Sequence, residues 1–225
     1  MDIGNAYNSW AVQYDTNDNK TRDLEALTLK KVLSKKTYKH CLEVGCVTGK
    51  NTQWLLTICD QITAIDLSQG MLDIAKNKIK SAKVNFSEAD ITKDWNFAKD
   101  TYDLVTFSLM LEHIEDLHAV FHKVSKVTAT GSQVYIGELH PFKQYAGSKA
   151  RFETETGTEV LTCFNHHVTD FIQAANASGF QLLQLDEQFD EGDRSQLPRI
   201  LNLLFEKLAQ NKISKSSSTK KLLPR

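Results

Sequence analysis

The sequence predicts an α/β protein: a doubly wound, mostly parallel, seven-stranded sheet with helices on both faces, preceded by an N-terminal helical cap. Three observations predict it. Short β-rich runs alternate with amphipathic helical segments, a glycine turn follows the first run directly, and acids stand at the ends of successive runs. Strands alternating with helices at this spacing build parallel sheets. Right-handed crossovers then gather the strand-to-helix turns at one sheet edge, where ligands bind.

Each element has a local reason. The segment through about Lys36 reads as helical, with Leu24, Leu27, Leu29 and Val32 as its apolar positions. Cys41–Val44 is the first strand, ending in the glycine turn. A helix from Asn51 carries Trp54, Leu55 and Ile58 on one side. Ile62–Leu67 is the second strand. Ser68 is placed to cap a helix whose buried stripe is Met71, Leu72, Ala75 and Ile79. Val84–Ala89 and Tyr102–Phe107 are the third and fourth strands, and Leu117, Val120, Phe121, Val124 and Val127 form a helical face. Gly131 turns the chain into a fifth strand, Gln133–Leu139. Val168, Phe171, Ile172 and Ala175 mark a further helix, stopped by Gly179. Phe180–Asp186 and Arg199–Glu206 form a closing pair of strands, although RILNLLFEKL also fits a helix.

The expected organisation is a cap over 1–36, a body over 37–207 with a pocket-forming insertion at 140–166, and a basic, serine-rich tail over 208–225 that is expected to be disordered. A chain of 225 residues suits one well-buried domain with additions. The formal charge of −1 gives no global sign of nucleic-acid or membrane binding. No apolar run approaches the roughly 20 residues needed to span a bilayer. MDIGNAYNSW lacks the features of a secretory signal, so a cytoplasmic location is the expectation. Cys41, Cys46, Cys59 and Cys163 show neither a C-x-x-C pair nor zinc spacing, and no metal is expected.

The chemistry begins at CLEVGCVTGK, residues 41–50. A P-loop needs four residues between its glycines and a Ser or Thr after the lysine; here three residues separate Gly45 from Gly49, and Asn51 follows Lys50. A dinucleotide fingerprint would need glycine at 47 and 50, which hold Val47 and Lys50. An acid-x-G-x-G-x-G loop is met at Glu43, Gly45 and Gly49. Asp66, about 20 residues beyond the turn, stands where an acid accepts hydrogen bonds from ribose hydroxyls. With Glu43 and Asp90 it makes acids at three successive strand ends, a far more specific signal than any one of them.

In LEVGCVTGKNT, ITAIDLSQGMLDIAKNK, FSEADIT and YDLVTFSLMLEHIED, in that order and spacing, the chain resembles the class I S-adenosylmethionine-dependent methyltransferases of the small-molecule type. The likeness covers roughly residues 38–139, and NSWAVQYD…KTRDLEAL is similar to the cap of many such enzymes. It implies that S-adenosylmethionine is the cofactor. Gly45, Cys46 and Gly49 would approach its methionine part, and Glu43 its ammonium. Asp66 would hold the ribose hydroxyls, with Leu67 and Met71 along the adenine. Asp90 and Ile91 would meet the adenine edge, and Ser108 and Leu109 would lie beneath the sulfonium. Tyr14 and Arg22 would take the cofactor carboxylate, although Arg22 also reads as a solvated helix charge. One departure stands out: the family has glycine where this chain has Val47, and a β-branched residue tolerates positive φ poorly.

The acceptor is expected to be a small molecule, since the body has no basic stripe and FSLMLEH stands where a methyltransferase of amide or exocyclic nitrogens would carry N-P-P-Y. A macromolecule methyltransferase and a non-catalytic binder that lost turnover through Val47 are the alternatives. His140, before Pro141, is expected to project from the sheet rim as a catalytic base, a pocket wall or a purely structural group. His113 reads as a substrate contact or as helix capping. Tyr145, among the aromatics of 140–166, is expected to face the acceptor.

Overall fold

The computed structural model describes residues 3–148, 151–154 and 157–209, with the backbone alone for 151–154 and 157–160. Two helices, α1 (Ile3–Trp10) and α2 (Lys20–Leu33), precede the sheet. The alternation follows as β1 (Tyr38–Val44), α3 (Lys50–Leu55), β2 (Cys59–Asp66), α4 (Gln69–Lys78), β3 (Val84–Glu88) and β4 (Tyr102–Ser108). Then come α5 (Leu117–Lys126), β5 (Thr128–Leu139), α6 (Pro141–Tyr145) and a hairpin of β6 (Arg151–Thr154) and β7 (Gly157–Val160). Helix α7 (Val168–Ala177) leads into β8 (Phe180–Gln188) and β9 (Ile200–Lys207).

The main sheet has seven strands in the order β3-β2-β1-β4-β5-β9-β8. The first five are parallel, β9 runs antiparallel to them, and β8 pairs antiparallel with β9 and so points the same way as the first five. Because β1 lies between β2 and β4, the chain reverses direction there, and the crevice at the strand ends is where such sheets bind ligands. Alternate side chains of each strand feed opposite layers. Leu42, Val105 and Ile136 pack with Val120, Phe121 and Phe171 on one face, whereas Cys41, Leu104 and Tyr135 meet Leu29, Leu33 and Leu72 on the other. Both faces are covered, which explains why the strands read as continuous apolar runs.

Side-chain caps set the helix starts. Ser68 Oγ accepts from the Met71 N–H at 3.1 Å, as expected from sequence. Asn19 accepts from the Thr21 and Arg22 N–H groups at 3.0 Å each and starts α2, so the helical N-terminal segment is divided into two helices. Such caps are worth about 1 kcal/mol each. Asn8 of α1 clips the cap to α4: its Oδ1 accepts from Ser68 Oγ at 2.7 Å and from the Gly70 N–H at 2.8 Å.

The expected closing strand holds against the helical alternative: residues 200–207 pair with β5 on one side and β8 on the other, which demands an extended backbone whose two faces are both buried. One boundary is corrected. Strand β5 begins at Thr128, and Gly131 (φ 81°) sits inside it at a register irregularity instead of before it. The stretch after β5 is regular in part, with α6 started by Pro141 at its first turn. The side chain of Phe152 and residues 210–225 of the basic tail lie outside the described residues.

Candidate functional site

A cavity of about 270 Å³ opens at the carboxyl ends of β1, β2 and β4, under the cover of α1 and α2. The glycine loop forms its floor. The Gly45 and Cys46 N–H groups both donate to the Ile65 carbonyl, at 2.8 and 3.0 Å, which turns the chain sharply at the end of β1. Val47 then adopts φ 49°, and its N–H donates to Asp66 Oδ2 at 2.8 Å. Asp66 Oδ1 accepts from the Ser68 N–H at 2.9 Å, so one buried carboxylate ties the loop of β1 to the start of α4. Burial pushes the Asp66 carboxyl upward, and these backbone bonds pull it back.

Valine in the left-handed region carries about 1–2 kcal/mol of strain. Val47→Gly is expected to relieve that strain and to return about 0.4–1 kcal/mol to the unfolded chain. The net gain is then about 1 kcal/mol or less, read as a small rise in melting temperature; a fall would show that the packing of Val47 against the buried cluster of Ala6, Trp10 and Met71 outweighs the strain. Leu109, at the mouth of β4, is also strained (φ 53°), with its N–H on the Gly137 carbonyl at 2.8 Å. Both strained residues line this cavity, and such strain clusters at functional sites.

Two buried carboxylates face the loop. Glu43 accepts from Thr52 Oγ1 at 2.5 Å. Glu25, from α2, accepts from Ser108 Oγ at 2.8 Å, Tyr135 Oη at 3.2 Å and Asn51 Nδ2 at 3.1 Å. The bare Gly137 leaves it room, since a Cβ there would lie 2.6 Å from Glu25 Oε1. Burial lifts Glu25 to about 7 and Glu43 to about 8. Asp90, at the end of β3, forms an Asx turn by accepting from the N–H and Oγ1 of Thr92 at 2.8 and 2.6 Å. Leu67 and Ile91 add apolar walls.

The cap closes the other side. The Arg22 guanidinium stacks 4.0 Å from the Tyr14 ring centre, and its Nη1 and Nη2 donate to the Tyr14 and Asn17 carbonyls at 2.6 and 2.9 Å. Its Nε–H is buried without an acceptor among the described residues. His113 donates from Nδ1 to the Thr162 carbonyl at 3.0 Å, so its Nε2 accepts from the Tyr7 hydroxyl at 3.1 Å. Hence Tyr14, Arg22, Glu43, Gly45, Cys46, Asp66, Leu67, Asp90, Ile91, Ser108, Leu109 and His113 all line this one cavity.

Four expected site residues do not line it. Gly49 (φ 83°) faces α4, where a Cβ would lie 2.8 Å from Ile79 Cδ1; its glycine serves the turn and the packing. Met71 is fully buried beneath α1 with Ala6, Trp10 and Ala11, because the cap covers that face of α4. Tyr145 lies half-exposed on α6, with its hydroxyl 2.5 Å from His167 Nδ1. His140 is extended as expected, yet it is completely buried instead of projecting. Pro141 starts α6 at once, so His140 becomes the N-cap: Nδ1 accepts from the Phe142 N–H at 3.1 Å, and Nε2 donates to Glu187 at 3.0 Å. Burial lowers its pKa against the pull of Glu187.

Sequence reading missed Glu25, Tyr7 and Glu112. Glu25 stands three residues after Arg22 in one helix, a spacing that puts both on the same face, and that signal was available. Nothing local marks Tyr7. Glu112, next to His113, lines a second cavity of about 570 Å³ that shares Tyr7, Tyr14, Arg22 and Leu109 with the first.

The buried carboxyls make a pH prediction. Glu25, Glu43 and Glu138 are held at about 7, 8 and 8, against an ordinary 4.5. Between about pH 5 and 8 the folded protein keeps protons that the unfolded chain releases, so stability falls as pH rises, by about 1.4 kcal/mol per pH unit for each group that behaves this way. Thermal melts of the ligand-free protein are expected to drop by several degrees from pH 6 to 8.5. A flat or rising profile would contradict the burial of these groups.

Acids from three strand ends line a crevice at the topological switch point, where open α/β sheets bind their ligands. A family model described as a methyltransferase domain matches residues 42–136. An uncharacterized methyltransferase of Emericella nidulans is 25% identical over 224 residues, covering 80% of this chain and 76% of that protein. The ubiquinone biosynthesis O-methyltransferase of Coxiella burnetii is 27% identical over 158 residues, 65% of each chain. An uncharacterized methyltransferase of Schizosaccharomyces pombe is 29% identical, but the match spans only 40% of its length. The fold of the DhpI–SAH complex aligns with a TM-score of 0.73 at 20% identity, covering 93% of this chain and all of that one. Over residues 42–136 the chain is similar to methyltransferase domains, and its fold is that of solved S-adenosylmethionine-dependent methyltransferases, although it spans less than two thirds of most of the curated relatives it matches.

Proposed function

We propose that the chain transfers a methyl group to a small-molecule acceptor, with the first cavity as its cofactor site. One observation carries this: Glu43, Asp66 and Asp90, from three strand ends, meet at a single cavity that also holds Arg22. The residues fit the cofactor. The unpaired Arg22 Nε–H suits its carboxylate, the acidic pair Glu25 and Glu43 suits its ammonium, and Asp66 suits the ribose. Leu67 and Ile91 would flank the adenine and Asp90 would accept from its amino group, while Ser108 and Leu109 would lie below the sulfur. S-adenosylmethionine supplies an electrophilic methyl whose departure leaves a neutral thioether. The chain's part is to align the acceptor and exclude water under the α1–α2 cover.

The test is incubation with methyl-labelled S-adenosylmethionine and a cell extract separated into small molecules, RNA and protein. Label is expected in the small-molecule fraction, and label confined to RNA or protein would overturn the reading. The left-handed φ of Val47 favours one second reading, a binder without turnover. Cofactor binding with no label moved to any fraction would support that instead.

A further inference from the structure

We infer that the second cavity receives the methyl acceptor, a small amine-bearing oxyanion with its anionic end on Lys143 and Arg199 and its amino nitrogen on Glu112, whose carboxylate takes the proton that the nitrogen sheds as it bonds to the methyl and the sulfur–methyl bond breaks. This rests on the proposed methyl transfer, and it names the acceptor class that the first cavity leaves open.

Glu112 shares hydrogen bonds with Cys163 and Gln144, yet one of its two carboxylate oxygens is left over. Glu112 is only 7% exposed and lines the second cavity, yet its Oε2 has no hydrogen-bond partner among the described residues. A buried carboxylate oxygen left without a donor is costly, and a charged N–H group is the partner that best relieves it. Glu112 follows Leu109 by three residues, and Leu109 lines both cavities, so a group on Glu112 lies close to the junction with the cofactor site.

The same cavity carries positive charge. Arg199 is fixed by two bonds to Asp190 at 2.5 Å each, and by a third to Thr21 Oγ1 at 3.0 Å. Lys143 lies near the same Asp190, so two cations share one acid there. His140 holds both in place, because its carbonyl accepts from the Lys143 N–H and its own N–H donates to the Arg199 carbonyl, at 2.8 Å each. A simple amine would be repelled by Lys143 and Arg199, and a simple anion would be repelled by Glu112. A molecule with both groups satisfies both ends.

The probes are the ω-amino acids from β-alanine to 6-aminohexanoate, with alkylamines and alkanoates of matched length. Each is titrated by calorimetry into the full chain, with and without S-adenosylhomocysteine. At least one amino acid is expected to bind tenfold or more tightly than its matched amine and alkanoate. Glu112→Gln should weaken it tenfold while S-adenosylhomocysteine affinity stays within twofold, and Lys143→Gln should weaken the alkanoates but not the amines. If no amino acid outbinds its single-ended analogues, or if Glu112→Gln leaves the affinity within twofold, the inference fails. Failure of wild type to bind S-adenosylhomocysteine would strike the cofactor reading instead.

Discussion

Asp66→Ala is expected to weaken S-adenosylhomocysteine binding by 100-fold or more, measured by calorimetry. Each Asp66 oxygen already accepts one backbone N–H, from Ser68 and from Val47, and keeps a lone pair for a ribose hydroxyl. Two charge-assisted hydrogen bonds at about 1.5–3 kcal/mol each account for the loss. The substitution also leaves the Val47 and Ser68 N–H groups without acceptors, so stability should fall by about 2–6 kcal/mol, and the far-ultraviolet spectrum checks that the protein stays folded. Asp66→Asn offers no rescue, because its amide would point a donor at one of those two N–H groups. A folded Asp66→Ala protein that binds within threefold of wild type would remove Asp66 from the site.

The second large effect belongs to Glu138, which does not itself line the cofactor cavity but holds residues that do. Its Oε1 accepts from the Met110 and Leu111 N–H groups at 3.0 and 2.8 Å, so it fixes the turn after β4 that carries Leu109, Glu112 and His113. Glu138→Ala strands two backbone donors and is expected to cost about 3–5 kcal/mol, a large share of the stability of an ordinary domain. Burial and the neighbouring Glu112 lift the Glu138 carboxyl to about 8, so it is neutral at pH 7. Glutamine mimics that neutral acid and keeps the accepting oxygen. Glu138→Gln should therefore stay within about 1 kcal/mol of wild type at pH 7 and flatten the fall of stability toward pH 8.5. Equal losses in the two variants, read by denaturant melts, would contradict this role.

What the sequence made legible divides along local and long-range lines. Asp66, Asp90 and Gly45 sit at strand ends, and a strand end is marked by the change from apolar run to turn, so their convergence follows once the sheet is parallel. Ser68 and Gly179 likewise act within a few residues of themselves. The misreadings have a different origin. His140 was correctly extended, but its side chain turned back because α6 begins at the next residue and Glu187 of β8 waits beside it. Met71 belongs to the face that α1 covers, and where α1 docks is decided by Asn8 meeting Gly70, 62 residues away in the chain. Tyr7 entered the site with α1, and Glu112 with the turn after β4 that Glu138 holds from the neighbouring strand. The insertion defeated periodicity because its helix, at five residues, is too short to show one.

The most direct measurement is a crystal structure of the chain with S-adenosylhomocysteine. Both ribose hydroxyls are expected within hydrogen-bonding distance of the two Asp66 oxygens, the adenine between Leu67 and Ile91, and the amino-acid end between Arg22 and Glu43. A nucleoside bound elsewhere, with Asp66 making only its two backbone contacts, would contradict it.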